Sequence, residues 1–386
     1  MSGLTAEQLE YVAGIRAVAT DHLLAIPPVH GAVNRPLVEA LGRHGLLRGL
    51  FGGDADAPPR DAAALQLCLL RETLATVTTE AETALALQGL GSYPILQSGS
   101  AATIERWIPS VVAGEAVPGF ALSEPEAGSD AAALSLAATQ DSDGSWRLHG
   151  EKTWISNAPD ADVYSVFART GSDGARGVTA FVVPGDAEGL SGEPLDMLAP
   201  HAIGRLVFDG VRVTTDDVLG EVGRGFAVAM RTLDLFRPSV GAFAVGMAQA
   251  ALDAALDWAL TREVYGDLLI RQQSVEHMLA EMATRTEAAR LLVRAAATAY
   301  DDGEPAAQVT QSAAMAKLFA TETAQWVVDQ AVQLHGARGL ERGHLLERLY
   351  REVRAPRIYE GASEVQRTII GRGLVRTRKN REEGQS

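Results

Sequence analysis

The sequence predicts a mainly α protein with a central β domain, and three observations carry that expectation. Apolar residues recur at helical spacing from Thr5 to about Gly114. Between about Ala116 and Gly220 they collect instead into short branched or aromatic runs bounded by Gly, Asp and Pro. After Gly225 the helical period returns and persists to about Gly373. The expected architecture is a helical N-terminal domain (1–116), a small antiparallel β domain (117–220) and a C-terminal helix bundle (221–386). A chain of 386 residues also exceeds what one hydrophobic core usually serves.

Each element follows from local pattern. Leu37, Leu41 and Leu46, then Leu65, Leu69, Leu70 and Leu74, mark helix faces in the first domain. Ile26-Pro27-Pro28 and Gly52-Gly53-Asp54 break that run into separate helices. Trp146–Gly150, Val163–Ala168 and Val178–Val183 read as strands. In the last domain, Val240–Leu260 carries Ala and Gly on several faces, so this helix can approach its neighbours closely. Met278–Tyr300, Gln308–Leu334 and Ser363–Leu374 supply further helices. Residues 376–386 are charged and polar and are expected to form a loose tail.

Composition narrows the function. A net charge of −15 argues against non-specific binding to nucleic acid or anionic membrane, both of which need a basic footprint. The single cysteine, Cys68, excludes an intramolecular disulfide and a multi-cysteine metal site, and between Leu67 and Leu69 it reads as a small core residue. No metal is expected. Residues 1–10 carry neither a basic nor an apolar signal region, and no run of about 18 uninterrupted apolar residues occurs, so a soluble cytoplasmic protein is expected. Neither G-x-G-x-x-G nor G-x-x-x-x-G-K-[ST] is present, so any nucleotide cofactor is held in another way.

Four segments carry chemistry. Arg357-Ile358-Tyr359-Glu360-Gly361-Ala362-Ser363-Glu364 sets one carboxylate between an aromatic ring and a glycine, ahead of a helix. Lost hydration there raises a carboxyl pKa and makes a general base, although a Glu before a Gly is more often a solvated turn residue. Phe120-Ala121-Leu122-Ser123-Glu124-Pro125-Glu126-Ala127-Gly128-Ser129-Asp130 offers hydroxyls and backbone N–H groups in one bend, suited to a flat polar ring or a phosphate; a capped turn explains it equally well. Within His149–Ala158, Trp154 and Ser156 share a strand face, where an indole can lie on an aromatic cofactor and a hydroxyl can reach a ring nitrogen. Asp234, Arg237, Arg262, Tyr265, Gly266 and Gln273 lie in the helical part, where Arg suits bidentate phosphate contacts. The series Arg348, Arg351, Arg354 and Arg357 reads as a salt-bridged or solvated face.

Together these segments resemble the acyl-CoA dehydrogenase family over nearly the whole chain. Ala121–Asp130 is similar to the family's first signature and Gln333–Ile370 to its second, with Gly150–Ala168 and Arg237–Gln273 matching in order and spacing. The resemblance implies a C-terminal four-helix bundle and FAD as cofactor. It places flavin contacts on Phe120, Leu122, Ser123, Ser129, Trp154 and Ser156, and near Ala362 and Glu364. It places the grip of a neighbouring subunit on the adenosine and pyrophosphate end at Arg262, Tyr265, Gln273, Gln333 and Gly336, hence a homodimer or homotetramer. Glu360 matches the catalytic base; Phe236 occupies the alternative base position used by some relatives. Ser129, Asp234, Arg237, Tyr359 and Gly361 match positions near the thioester substrate.

The reaction this resemblance implies is α,β-dehydrogenation of an acyl thioester to the trans-2-enoyl thioester, with electrons leaving to an electron-transferring flavoprotein. The sequence leaves open a carrier-protein-bound acyl group, or flavin-dependent oxygenation on the same fold, against which the retained Glu360 argues. Three departures stand out: Ala337 and Arg338 follow Gly336 where relatives have paired glycines, Ala362 replaces a common Thr, and Tyr265 a usual Phe. Glu82–Tyr93 resembles the helix closing the acyl pocket, and the bulk of Leu87 there suggests a short or branched acyl group.

Overall fold

The computed structural model describes residues 3–52, 58–171 and 174–383. Helices α1 (Ala6–Val18) and α2 (Arg35–Arg43) come first, and the strand pair β1 (Phe51–Gly52) and β2 (Arg60–Asp61) leads into α3 (Ala64–Val77), α4 (Thr79–Ser98) and α5 (Ala101–Ala113). The start of α5 is fixed by Ser100, whose hydroxyl accepts from Thr103 N at 3.2 Å, and its end by Gly114 at φ +78°. The break expected at Gly52-Gly53-Asp54 falls partly outside the described residues.

Strands β3 (Pro118–Ala121), β4 (Ala137–Gln140), β5 (Trp146–Ser156), β6 (Val163–Arg169), β7 (Val178–Pro184), β8 (Leu190–Pro194), β9 (Ile203–Val213) and β10 (Val218–Leu219) form one sheet. Its order is β10-β7-β6-β4-β5-β9-β8, with β3 paired to β6. The sheet is mainly antiparallel, as expected, but not wholly so: β3 runs parallel to β6 from Pro118↔Val163 to Ala121↔Val166. A parallel neighbour covers β6 on its second edge, and Val163–Ala168 is buried without alternation.

The C-terminal helices are α6 (Gly225–Thr261), α7 (Gln273–Asp301), α8 (Ala306–His335), α9 (Leu345–Glu352) and α10 (Ser363–Glu383), with the short pair β11 (Glu263–Val264) and β12 (Asp267–Leu268) after α6. Helix α10 continues to Glu383, so 376–383, expected as a loose tail, extends that helix. A Cβ on Gly241 would stand 2.7 Å from Val293 of α7, and one on Gly246 2.5 Å from the Glu72 carbonyl of α3, so small residues set how closely α6 packs. Among the described residues α6 alone is long and apolar enough to cross a membrane, and 72% of its most apolar window is buried within the protein.

Packing divides the chain into two compact units, neither of them one continuous segment. The bundle unit comprises Met1–Arg16, Ala63–Thr79 and Asp234–Ser386; the sheet unit comprises Ala17–Ala62 and Glu80–Leu233. The helices of 1–116 are thereby shared between the two. In the bundle unit, Ala64 N and Leu65 N donate to Asp301 at 2.6 and 3.0 Å, so a carboxylate at the end of α7 satisfies the positive start of α3.

Candidate active site

In the bundle unit, the turn between α9 and α10 holds Glu360 in the left-handed region, φ +50°, followed by Gly361 at φ +93°. Glycine suits 361, because L side chains rarely adopt this φ and a Cβ there would also push against the Gln366 amide nitrogen. Three successive carbonyls of this turn point at fixed donors. Lys317 Nζ of α8 donates to Tyr359 O at 2.9 Å and to Gly361 O at 2.7 Å; Gln366 Nε2 donates to Glu360 O at 3.3 Å and Gly361 O at 2.8 Å; Arg237 Nε reaches Glu360 O at 3.4 Å. The turn's flanks are tied to one α8 carboxylate, Glu322, by Ser363 Oγ at 2.6 Å and Arg357 at 2.8 Å. The backbone N–H groups of Glu360 and Gly361 donate to no protein group among the described residues.

Glu360 keeps part of its surface open, but its Oε2 is enclosed and lacks a hydrogen-bond partner. Burial pushes its carboxyl above the ordinary range, while the nearby charges of Arg71, Lys317 and Arg237 pull the other way. Arg237, 5% exposed, is paired with Asp234 at 3.0 Å, and Asp234 also accepts from Thr310 at 3.2 Å. Asp234 is likewise raised by burial, against the pull of Arg237. Asp234, Arg237, Tyr359, Glu360 and Gly361 thus come together. Ala362 begins the turn into α10, and Glu364 is exposed on its first turn, paired with Arg367 at 3.3 Å. Phe236 is wholly buried and carries no acid.

In the sheet unit, Trp154 sits at φ +55° where the β5–β9 register shifts between Lys152 and Ile155, and its indole remains 49% exposed. Thr153 N donates to Ser123 O at 3.0 Å, so the bend after β3 lies against this part of β5. The bend is locked from beneath. Lys152 Nζ, with no exposed surface, donates to Leu122 O at 2.9 Å and Glu124 Oε1 at 2.8 Å, and Glu124 further accepts from Ser135 N, Ser135 Oγ and Leu136 N. The hydroxyls of Ser123, Ser129 and Ser156 make no hydrogen bond among the described residues. Phe120 packs on Phe167 with ring centroids 4.9 Å apart, and Leu122 is buried. Leu87 lines a recess of about 40 Å³ walled by Val33, Leu37, Thr83 and His201. Burial there pushes His201 down to about 4.

A third cluster, again in the bundle unit, joins the end of α6 to the end of α8. Trp258 donates through Nε1 to Leu334 O at 3.2 Å, stacks on His335 at 5.2 Å, and is covered by Arg262 at 5.8 Å and Arg338 at 5.1 Å. Tyr265 is fully exposed at φ +52°, and Gln273, Gln333 and Gly336 keep exposed surface too. Among the described residues, the non-glycine positions at positive φ are Trp154, Asn157, Tyr265 and Glu360. Backbone strain therefore falls at or beside one residue of each cluster, where function often keeps it.

The chain matches the N-terminal, middle and C-terminal domains of acyl-CoA dehydrogenases over residues 5–115, 119–211 and 223–375. It belongs to the acyl-CoA dehydrogenase family. The fold agrees with the structure of butyryl-CoA dehydrogenase from Megasphaera elsdenii, at a TM-score of 0.89 and 33% identity over 97% of this chain and all of that one. It is 39% identical to fadE25 of Mycobacterium leprae, a probable acyl-CoA dehydrogenase, over 82% of this chain and 81% of that one. It is 41% identical to the mitochondrial short-chain specific acyl-CoA dehydrogenase of Mus musculus over 74% of this chain and 69% of that one. As a member of the acyl-CoA dehydrogenase family it is an oxidoreductase that dehydrogenates acyl-CoA.

Sequence reasoning passed over Lys317, Arg71, the Lys152–Glu124 pair and the stacking of Trp258 on His335, and noted Arg338 only as a departure after Gly336. A signal existed for the first two, since each is a cation on an otherwise apolar helix stripe: Lys317 beside Ala313, Ala316 and Ala320, Arg71 beside Leu67 and Leu74. Nothing in the chain order pairs Lys152 with Glu124, which are 28 residues apart. In the basic series, Arg351 pairs with Glu347 at 2.7 Å and Arg357 with Glu322, as a salt-bridged face requires.

Proposed function

We propose that this protein dehydrogenates a short or branched acyl-CoA to its trans-2-enoyl thioester, with Glu360 as the base and FAD as the cofactor. One observation carries the reading: Glu360 presents an enclosed, unpartnered carboxylate oxygen on a turn whose carbonyls are all held back, leaving its own N–H without a protein acceptor among the described residues. Such a carboxyl, raised by burial, can take a proton from the carbon beside a thioester. The α C–H bond breaks, the proton passes to a Glu360 oxygen, and the electron pair moves toward the thioester carbonyl. The Glu360 N–H, free of the bundle's own acceptors, is suited to stabilise the charge growing on that oxygen. Asp234, which keeps part of its surface open and is paired with the buried Arg237, offers a polar group for the substrate's pantetheine chain.

The residues present fit FAD. An exposed indole at Trp154, on a strand joined to the bend that carries the unengaged hydroxyls of Ser123 and Ser129, suits a flat ring that needs both stacking and hydrogen bonds, with Ser156 two residues further along. Phe120 and Leu122 lead into the same bend, and Ala362 and Glu364 belong to the proposed contacts by the family resemblance. Bound there, FAD supplies the hydride acceptor. Arg262, Tyr265, Gln273, Gln333 and Gly336 would serve the cofactor of a second copy, so the working form is a homo-oligomer. An electron-transferring flavoprotein is the expected oxidant of the reduced enzyme. The likeness to butyryl-CoA and short-chain enzymes supports a short acyl group.

Anaerobic mixing of the yellow protein with acyl-CoA and acyl-carrier thioesters of increasing length, following loss of flavin colour, tests the reading. Bleaching by short or branched acyl-CoA is expected; bleaching by long chains or carrier thioesters alone would replace that substrate. Glu360→Gln should retain FAD and lose at least about 10²-fold in reduction rate. Undiminished reduction in that variant would place the base elsewhere.

A further inference from the structure

Lys317 has no exposed surface, yet it does not serve a carboxylate. Its Nζ bonds the Tyr359 and Gly361 carbonyls at 2.9 and 2.7 Å, one on each side of Glu360. We propose that Lys317 is a positioning residue for the dehydrogenation: by gripping both neighbouring carbonyls it fixes the Glu360 peptide in its left-handed conformation, and it keeps a positive charge beside the Glu360 carboxylate. This role for Lys317 rests on Glu360 being the base.

Geometry and charge both support it. A left-handed residue without glycine's freedom holds its conformation only if its surroundings impose it. Here the imposed groups are the carbonyls, and with all three turned inward the Glu360 N–H is left for an external acceptor. A neutral filler would pack the same volume but could not donate to both carbonyls. Charges face this site from every packed element: Arg71 of α3, Arg237 of α6, Glu322 on α8 itself, and Glu364 at the start of α10. Arg237 is already paired with Asp234, and Glu322 with Arg357. Lys317 has no such partner within reach of its Nζ among the described residues; its charge acts on Glu360 first and also on Glu322 and Glu364, and on Glu360 it joins that of Arg71.

The test uses the FAD-loaded oligomer and a 3-thia acyl-CoA, whose α-proton can leave but which has no β-hydrogen to give up. In heavy water the α-position exchanges each time Glu360 takes its proton, and mass spectrometry counts the exchanged label. Lys317→Met should slow this exchange about tenfold or more, as misplacement of a reacting group does. It should also move the pH midpoint of exchange upward by roughly one unit, because a cation favouring the carboxylate form is gone. The Kd of the thioester should change little. Unchanged rate and midpoint in Lys317→Met would overturn the proposal. Lys317→Gln, which donates without a charge, should keep the raised midpoint and recover part of the rate; a wild-type midpoint in that variant would refute the electrostatic part, and it remains informative if the Met variant does not fold. If instead the unmodified enzyme exchanges nothing, the assignment of Glu360 fails and not merely that of Lys317.

Discussion

Lys152 in the sheet unit and Lys317 in the bundle unit are both wholly buried, and burial pushes each down to about 8. Their partners differ. Lys152 meets the Glu124 carboxylate, which is itself saturated by Ser135 and Leu136, so the charges cancel and the pair acts as a rivet under the bend after β3. Lys317 hydrogen-bonds only backbone carbonyls, and its charge is left to act on the acids around it, Glu360 first and then Glu322 and Glu364. Burial costs both lysines the same hydration; what it yields depends on the partner, shape in one unit and electrostatic bias in the other. The rivet holds up a surface suited to a cofactor, with an exposed indole and unengaged hydroxyls, whereas the bias serves a site whose own polar groups are nearly all engaged.

The contrast can be broken from its strong end first. Glu124→Leu leaves a buried ammonium without its carboxylate and should cost about 3–5 kcal/mol, the scale for breaking a buried pair. A lowered Tm with loss of bound FAD is expected; an unchanged Tm would mean the pair is not a rivet. Lys317→Met removes two charge-assisted hydrogen bonds and one buried charge together. It should cost less stability than Glu124→Leu, about 1–3 kcal/mol, while costing more in proton removal. Equal ranking of the two variants in both measurements would erase the comparison.

Acid–base linkage sharpens it further. A lysine whose folded pKa is about 8 binds fewer protons than the unfolded chain between pH 8 and its ordinary value near 10.5. Stability therefore rises with pH through that window, and thermal scans from about pH 8 to 10 should show a rising Tm. Replacing either lysine with Met should flatten the rise by that lysine's share. The smallest effect belongs to an exposed pair such as Arg285–Glu281 on α7, where Glu281→Ala should change stability by no more than about 0.5 kcal/mol.

Much of this was legible in the chain. Helical period, strand runs and the small residues of α6 announced the fold, because each is a local consequence of burial and backbone geometry. Glu360 was legible as a candidate, an acid between Tyr359 and Gly361 ahead of a helix, but its burial was not, since such a Glu is more often a solvated turn residue. The parallel pairing of β3 with β6 was not, for a parallel neighbour comes from more than 40 residues away and leaves no mark in the run itself. Nor was the helical end of the chain, where a charged segment is carried on as a continuation of α10.

By itself, the order of residues determined which elements form, which side chains are apolar enough to be buried, and that one acid near the C-terminus stands apart. Tertiary structure alone decided what that acid feels. Arg71, Arg237 and Lys317 come from α3, α6 and α8, and only packing brings their charges to one carboxylate and the lysine's hydrogen bonds to its turn. Electrostatic and hydrogen-bond effects depend on distance in space, and chain separation gives no measure of it.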